Sequence, residues 1–390
     1  MGEHPVRHQV TRRGLIRGGA LGAAGIGALT APALLGATGA SAAVAPGLSW
    51  NNVVTDFKAD HTGNTDSTTN FQNAINAGLP VYVPPGTYLC SNGPLVVAPY
   101  MHMFGNSYGT TTISTAGAPL FDMDPTPVPP NPVEGVEIDH LTLSAASTGG
   151  DIFWGANLVR SSVHDCKLVQ NNPASAIWNC SASTGAGTTY LAECRFYFNT
   201  EAIQGSAARS INPWYLFGSM MHINDNWWFG NVCFNSAHDQ NNFWYRIIGD
   251  ATQQRSRNNR FQKLTFEFPQ GGMIKLESTT GDLIEDVTSE DLTGLTVGTN
   301  AMISIATASG NTNGCAGIAI RNYSRRGGPT NAITDIKLDS NAVQFIIDTP
   351  SQYGGGQALA INAGGATHGT LIGSPANYSL TNAAGVKVLS

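Results

Sequence analysis

The chain has 390 residues with 20 basic and 26 acidic side chains, a net charge of −6, and only 12% charged residues overall. That balance excludes bulk nucleic-acid binding, which needs a strong basic footprint. With 42% hydrophobic residues the chain can bury a large core, so its six cysteines are not needed as a disulfide scaffold. Those cysteines, Cys90, Cys166, Cys180, Cys194, Cys233 and Cys315, include no CxxC pair, and no metal or cofactor site is read.

Taken in chain order, Thr11-Arg12-Arg13-Gly14-Leu15-Ile16-Arg17 precedes a Gly/Ala-rich apolar run ending at Ala40-Ser41-Ala42. This is the pattern of a twin-arginine export signal, with cleavage expected after Ala42 and a secreted, extracellular product. Removing residues 1–42 takes away four arginines and one glutamate, leaving 16 basic and 25 acidic residues, a net of −9. The later sequence holds no apolar run long enough to span a membrane, so no membrane partner is expected after cleavage. Residues 43–390 are read as one domain.

The stretch from Val54 to Leu89 lays down a loop, a helix and a strand. Asp66 is placed to cap a helix over about 66–77, Phe71, Ala74 and Ile75 share its apolar face, and Gly78 suits its left-handed stop. Val81-Tyr82-Val83 alternates as a strand, and Pro84-Pro85-Gly86 ends it. Asp56-Phe57-Lys58-Ala59-Asp60, Gly63-Asn64-Thr65-Asp66-Ser67-Thr68, Phe71-Gln72-Asn73-Ala74-Ile75 and Val81 to Tyr88 occur in an unusual order. In this the segment resembles the N-terminal part of the pectate-lyase-3-like superfamily, which includes rhamnogalacturonases, polygalacturonase relatives and phage tailspikes. The resemblance continues to Val136-Glu137-Ile138-Asp139-His140-Leu141-Thr142-Leu143. It implies an all-β fold, a single-stranded right-handed parallel β-helix with a short N-terminal capping α-helix, coils over about 80–345 and a Gly-rich C-terminal end over about 346–390. A polysaccharide is the implied partner, to a monomer or homotrimer.

An apolar frame at n, n+3 and n+5 recurs along the middle of the chain. Its copies are Ile138/Leu141/Leu143, Val163/Cys166/Leu168, Leu191/Cys194/Phe196 and Phe261/Leu264/Phe266, with Ile333/Ile336/Leu338 later. Ile223/Asn226/Trp228 and Ile284/Val287/Ser289 are poorer copies. Stacking these copies about 4.8 Å apart predicts vertical columns. One holds His140, Asp165, Glu193 and Asp225, the next Thr142, Lys167, Arg195 and Trp227, and Cys166 stacks on Cys194 as a free thiol. Carboxylates in neighbouring coils suit glycoside hydrolysis, which needs two of them about 5–9.5 Å apart. Asp or Asn at a tight turn is the competing structural explanation.

Four of the seven tryptophans fall between 214 and 244. Trp214, Trp227 and Trp244, with Asn224, Arg255 and Arg257, are candidates for stacking on sugar rings and binding hydroxyls and uronate carboxylates. Arg195 and Lys167 extend that cationic strip. His222, His238, Tyr245 and Arg246 carry the groups that β-elimination requires, while Asp165, Glu193 and Asp225 carry those of hydrolysis. Pectate lyases proper place a tryptophan before Ile-Asp-His and follow with Arg-x-Pro-x-x-Arg; both are missing here. Asn199-Thr200-Glu201 only approximates the Asn-Thr-Asp of polygalacturonases, and Gly-His-Gly and Arg-Ile-Lys are absent. The expectation is a secreted polysaccharide lyase acting on an acidic glycan, with a glycoside hydrolase and a non-catalytic glycan-binding or spike-like protein as alternatives.

Overall fold

In a computed structural model, the described residues are 49–124, 132–180, 190–204, 209–217, 222–235, 242–249, 256–267, 271–290, 301–326, 333–348, 350–353, 359–373, 378–381, 383 and 385–389. The export signal read at 1–42 lies outside them. None of their helices is long and apolar enough to cross a membrane.

The helix runs from Thr68 to Asn76 and buries Phe71, Ala74 and Ile75. Ser67 occupies the cap position, and Asp66 sits one residue earlier, accepting the Thr68 N–H at 2.9 Å. Its other oxygen accepts the N–H groups of Ser91 and Asn92, which ties the helix to the next coil. Gly78 takes φ of +76°, the left-handed stop. Phe71 meets Tyr88 edge-on at 5.4 Å, so the helix closes one end of the core.

All strand pairing among the described residues is parallel, in sheets of 13, 10, 11 and 5 strands, each strand pairing with its counterpart one coil away. Parallel neighbours joined by such crossovers wind right-handed, which gives the right-handed parallel β-helix. The 13-stranded sheet runs from Asn51–Asn52 to Gly385–Leu389, so coiling continues through the Gly-rich end. Its central ladder stacks Val81, Met103, Ile138, Val163, Phe196, Trp228, Phe261, Ile284, Ile320, Ile347 and Leu371 inward.

This ladder corrects the expected register. Ile138 pairs with Val163 as read, but Val163 pairs with Phe196, not with Leu191. Leu191 instead pairs with Leu158 and Ile223 in the 5-stranded sheet. The five-residue frame occurs twice per coil, once around each of two corners, and the two copies share a pattern. In the Phe196 coil they are Leu191/Cys194/Phe196 and Phe196/Asn199/Glu201. Ile336 and Leu338 belong to neither copy; they pair with Ile303 and Ile305 in the 11-stranded sheet.

Both corners turn on a residue with positive φ. One column contains Arg160, Glu193, Asp225 and Asn258 at φ from 50° to 58°, and the other His140, Asp165, Phe198 and Lys263 at 49° to 56°. Asp165 is therefore not stacked with Glu193 and Asp225. Cys166 and Cys194 are likewise apart: Cys166 N–H donates to Asn199 Oδ1 at 3.1 Å and Cys194 N–H to Asn226 Oδ1 at 3.0 Å. All six cysteines are buried and free. Asparagine is here an inward residue, its side chain supplying the backbone partners that a corner would otherwise leave unpaired. Asn226 N–H in turn donates to Asn259, and Asn259 N–H to Asp282.

The aromatic cluster fills the interior. Trp178 stacks on Trp214 at 5.6 Å, and Trp228 lies between Phe196 at 5.2 Å and Phe261 at 4.7 Å. Trp214, Trp244 and Tyr245, expected on the surface, are buried at 0%, 2% and 0% exposure; Tyr245 is in register with the inward Trp214, and the neighbouring Trp244 is also enclosed. Their polar atoms converge on Glu201, whose carboxylate accepts from Trp214 Nε1 at 2.9 Å, Trp244 Nε1 at 2.6 Å and Tyr245 Oη at 2.9 Å. Burial pushes the Glu201 carboxyl up to about 7 against the pull of these donors.

Candidate functional site on the outer face of the 13-stranded sheet

Beside each inward ladder residue, the residues before and after it face outward. The corrected register therefore writes two outer rows. One runs His102, Glu137, Ser162, Arg195, Trp227, Arg260, and the other Phe104, Asp139, His164, Tyr197, Phe229, Gln262. Parallel rows at about 4.8 Å spacing bring side chains from six coils onto one face.

A cleft of about 290 Å³ opens over the first row, lined by Arg195, Trp227 and Arg260 and, from the adjoining corner, Glu193, Asp225 and Asn258. Arg195, Trp227 and Arg260 are directly in register, so a half-exposed indole lies between two exposed guanidinium groups. Arg160 holds Glu193 at 3.1 Å and Glu134 at 2.7 Å, and these bonds raise its own pKa. Asn258 Nδ2 donates to Asp225 Oδ1 at 3.2 Å. Asn224 and Arg257 precede the corner residues Asp225 and Asn258 and pair with each other in the 5-stranded sheet. Trp227 Nε1 and Asn224 Oδ1 are covered without a hydrogen-bond partner among the described residues.

On the second row lies a denser cluster. Asp139 joins two imidazoles, His102 Nε2 at 2.6 Å and His140 Nδ1 at 2.5 Å. Burial alone would raise its pKa, but the bonds from His102 and His140 outweigh it and hold Asp139 below the usual carboxylate range. The bond to Asp139 raises His102 against its own desolvation. His164 reaches Glu137 at 3.0 Å through Nε2 and Asp165 at 3.1 Å through Nδ1, and its ring lies flat on Tyr197 at 4.5 Å. Burial, then the charges of Glu137, Asp165 and Asp139, raise the Tyr197 hydroxyl, so it keeps its proton.

Of the site residues read from sequence, Arg195, Trp227, Glu193 and Asp225 meet in the cleft, whereas Asn224 and Arg257 are not among its lining residues. Asp165 belongs to the histidine cluster. Lys167 is on the 10-stranded sheet, paired with Thr142 and Thr200, around the second corner from the cleft. Arg246 is on the 11-stranded sheet, bonded to Glu277 at 2.7 Å and lying over Tyr215 at 5.5 Å, so it does not join Tyr245 in a site. His238 and Arg255 lie outside the described residues, and of His222 the backbone alone is described, in a strand beside Tyr190. Sequence reading did not select His102, Glu137, Asp139 and Tyr197. Their signal was positional, the residues flanking each inward ladder residue, and it needed the correct register.

Residues 50–137 match the family model described as rhamnogalacturonase A/epimerase, pectate lyase-like. That match covers the segment whose order of motifs carries the resemblance. Among solved structures, the surface protein and adhesin PfbA of Streptococcus pneumoniae is similar at 13% identity and a TM-score of 0.52, over 88% of this chain and 96% of that one. ORF18 of Geobacillus virus E2 is similar at 15% identity and a TM-score of 0.52, over 77% of this chain; the match spans a little over half of the viral protein, 57%. The mannuronan C-5 epimerase AlgE6 A-module of Azotobacter vinelandii aligns at 11% identity and a TM-score of 0.49, over 87% and 99%. No curated protein matches the sequence. The fold class is the right-handed parallel β-helix, and its N-terminal part, residues 50–137, matches a pectate lyase-like model.

Proposed function

We propose that this protein is an exported polysaccharide-active enzyme that cleaves an acidic, uronate-containing glycan by β-elimination in the Arg195–Trp227–Arg260 cleft. The observation that carries this reading is the in-register row of cation, indole and cation with a carboxylate at its edge. The match of residues 50–137 to a rhamnogalacturonase A/epimerase, pectate lyase-like model supports a glycan partner. The twin-arginine signal accounts for export, and the molecule works as a monomer or homotrimer.

Elimination needs three services. The uronate carboxylate must be neutralised so that its α-proton becomes acidic, a base must take the C5 proton, and an acid must protonate the departing O4. Arg195 and Arg260 are placed for the first, while Trp227 offers a flat apolar surface to the ring. Asp225 is the base, exposed at the cleft edge and steadied by Asn258. Tyr197, two residues from Arg195 on the same outer face, keeps its proton and supplies it to O4. The C5–H bond breaks, the C4–C5 double bond forms, the C4–O4 bond breaks and O4 is protonated.

Hydrolysis by Glu193 and Asp225 is the second reading, favoured by their adjacent coils and about 4.8 Å strand spacing. Against it, Glu193 is committed to Arg160, and a general acid must hold a proton of its own. Incubating the secreted form with a panel of uronate polymers and reading ultraviolet absorbance separates the readings. Growth of an absorbing unsaturated product is expected. New reducing ends without absorbance would move the assignment to hydrolysis, and binding without any product would end the enzyme reading.

A further inference from the structure

We infer that His102, Glu137 and Asp139 form a binding site for a divalent transition-metal cation, on the same face as the cleft but separate from it. His102 and Glu137 are directly paired on neighbouring strands, and Asp139 is the next outward residue beyond Glu137. One nitrogen and two carboxylate oxygens from these residues lie within 4.8 Å of one another. Arg195 is two strands farther along the same row, through Ser162, so the site stands about 10 Å from the cleft.

Two carboxylates pointing out of one short strand repel each other and need positive charge between them. The surrounding side chains are arranged as they would be around a cation. His140 engages Asp139 Oδ1, while Asp139 Oδ2 and His102 Nε2 share a hydrogen bond at 2.6 Å whose proton the cation would displace. His164 engages one Glu137 oxygen and is itself fixed by Asp165. Bound carboxylates and imidazoles typically have their remaining atoms held by such outer partners, which fix orientation and tune basicity. The Asp139 side chain is only 9% exposed, whereas His102 is 36% exposed, so the site is anchored from below and open above.

Donor chemistry selects the ion. Calcium and magnesium favour all-oxygen sets, whereas an imidazole with carboxylates suits zinc or manganese. This departs from the sequence reading, in which no metal site was found because cysteine spacing was the signal sought. It does not depend on the elimination chemistry, since the cleft residues are a different set.

The test is calorimetric titration of the secreted form, carrying no polyhistidine tag, with zinc chloride, manganese chloride and calcium chloride in turn. A single equivalent of zinc or manganese should bind, and neither His102→Ala nor Glu137→Gln should bind it. Both side chains are partly exposed, and circular dichroism checks that both variants fold. His164→Ala should bind about 10–100-fold more weakly, the usual cost of losing an outer partner. Cobalt(II) should give visible bands in the wild type that are absent in His102→Ala. No stoichiometric uptake, unchanged affinity in His102→Ala, or a preference for calcium would each overturn the assignment.

Discussion

The interior around Glu201 and the outer cleft around Asp225 are built from the same residue types, carboxylate, tryptophan and hydrogen-bond donors, yet they differ in every physical consequence. Glu201 is fully enclosed, and burial lifts its carboxyl to about 7 even though two indoles and a phenol donate to it. Asp225 is exposed at a corner and shares the cleft with two guanidinium groups. A parallel coil converts a one-residue step into a change from core to surface, so residue type alone cannot tell a site from a core.

The largest expected effect is on turnover. Asp225→Asn keeps the corner shape and removes the base, and should lower kcat by about 10²–10⁴-fold with a normal melting curve. Retained activity would return Asp225 to a purely turn-forming role, which its φ of 58° equally fits.

Glu201→Ala should act on stability instead. It leaves the Trp214, Trp244 and Tyr245 donors without an acceptor, at about 1–3 kcal/mol for each buried unpaired group, so a loss of at least about 3 kcal/mol is expected by denaturant titration. The same group makes stability depend on pH. Its folded pKa is about 7, above its ordinary 4.5, so between those values the folded state retains a proton that the unfolded state has released. Stability should therefore fall as pH rises from about 4.5 to 7, by about 3 kcal/mol for this group, and level off above. Asp282 and Asp335, both pushed up to about 6 chiefly by burial, add in the same direction. A rise over that window would contradict the enclosed carboxylates.

Trp227→Ala should be milder, raising KM by about 2–10-fold for an acidic oligosaccharide, since an aromatic contact is worth about 0.5–1.5 kcal/mol. Trp214→Ala should instead lower the melting temperature, because that ring is a packed core element.

Much of the fold was legible in the sequence because its N-terminal punctuation is local. The helix at Thr68–Asn76, the strand at Val81–Val83 and the stop at Gly78 follow from caps, periodicity and turn residues. The register was not, because Phe196 ends one five-residue frame and begins the next, and each frame spans a left-handed corner. Choosing the wrong copy moved Asp165 into the column of Glu193 and Asp225. The alternation was legible where a frame was found, which put Trp228 inward and Trp227 outward, and hidden at Trp214, Trp244 and Tyr245, where none was traced. Arg195, Trp227, Glu193 and Asp225 were nevertheless found, because stacking Leu191/Cys194/Phe196 on Ile223/Asn226/Trp228 was correct for that pair of coils.

The most direct test of the cleft compares two arginines that the sequence offered in different roles, Arg195 for binding and Arg246 for elimination. Arg195 lines the cleft, whereas Arg246 is bonded to Glu277 on a different sheet. Turnover of the preferred uronate polymer by folded Arg195→Ala and Arg246→Ala should differ, with the first losing about 10²-fold or more through lost charge neutralisation and the second staying near wild type. A loss confined to Arg246→Ala would place the chemistry away from this face and contradict the account.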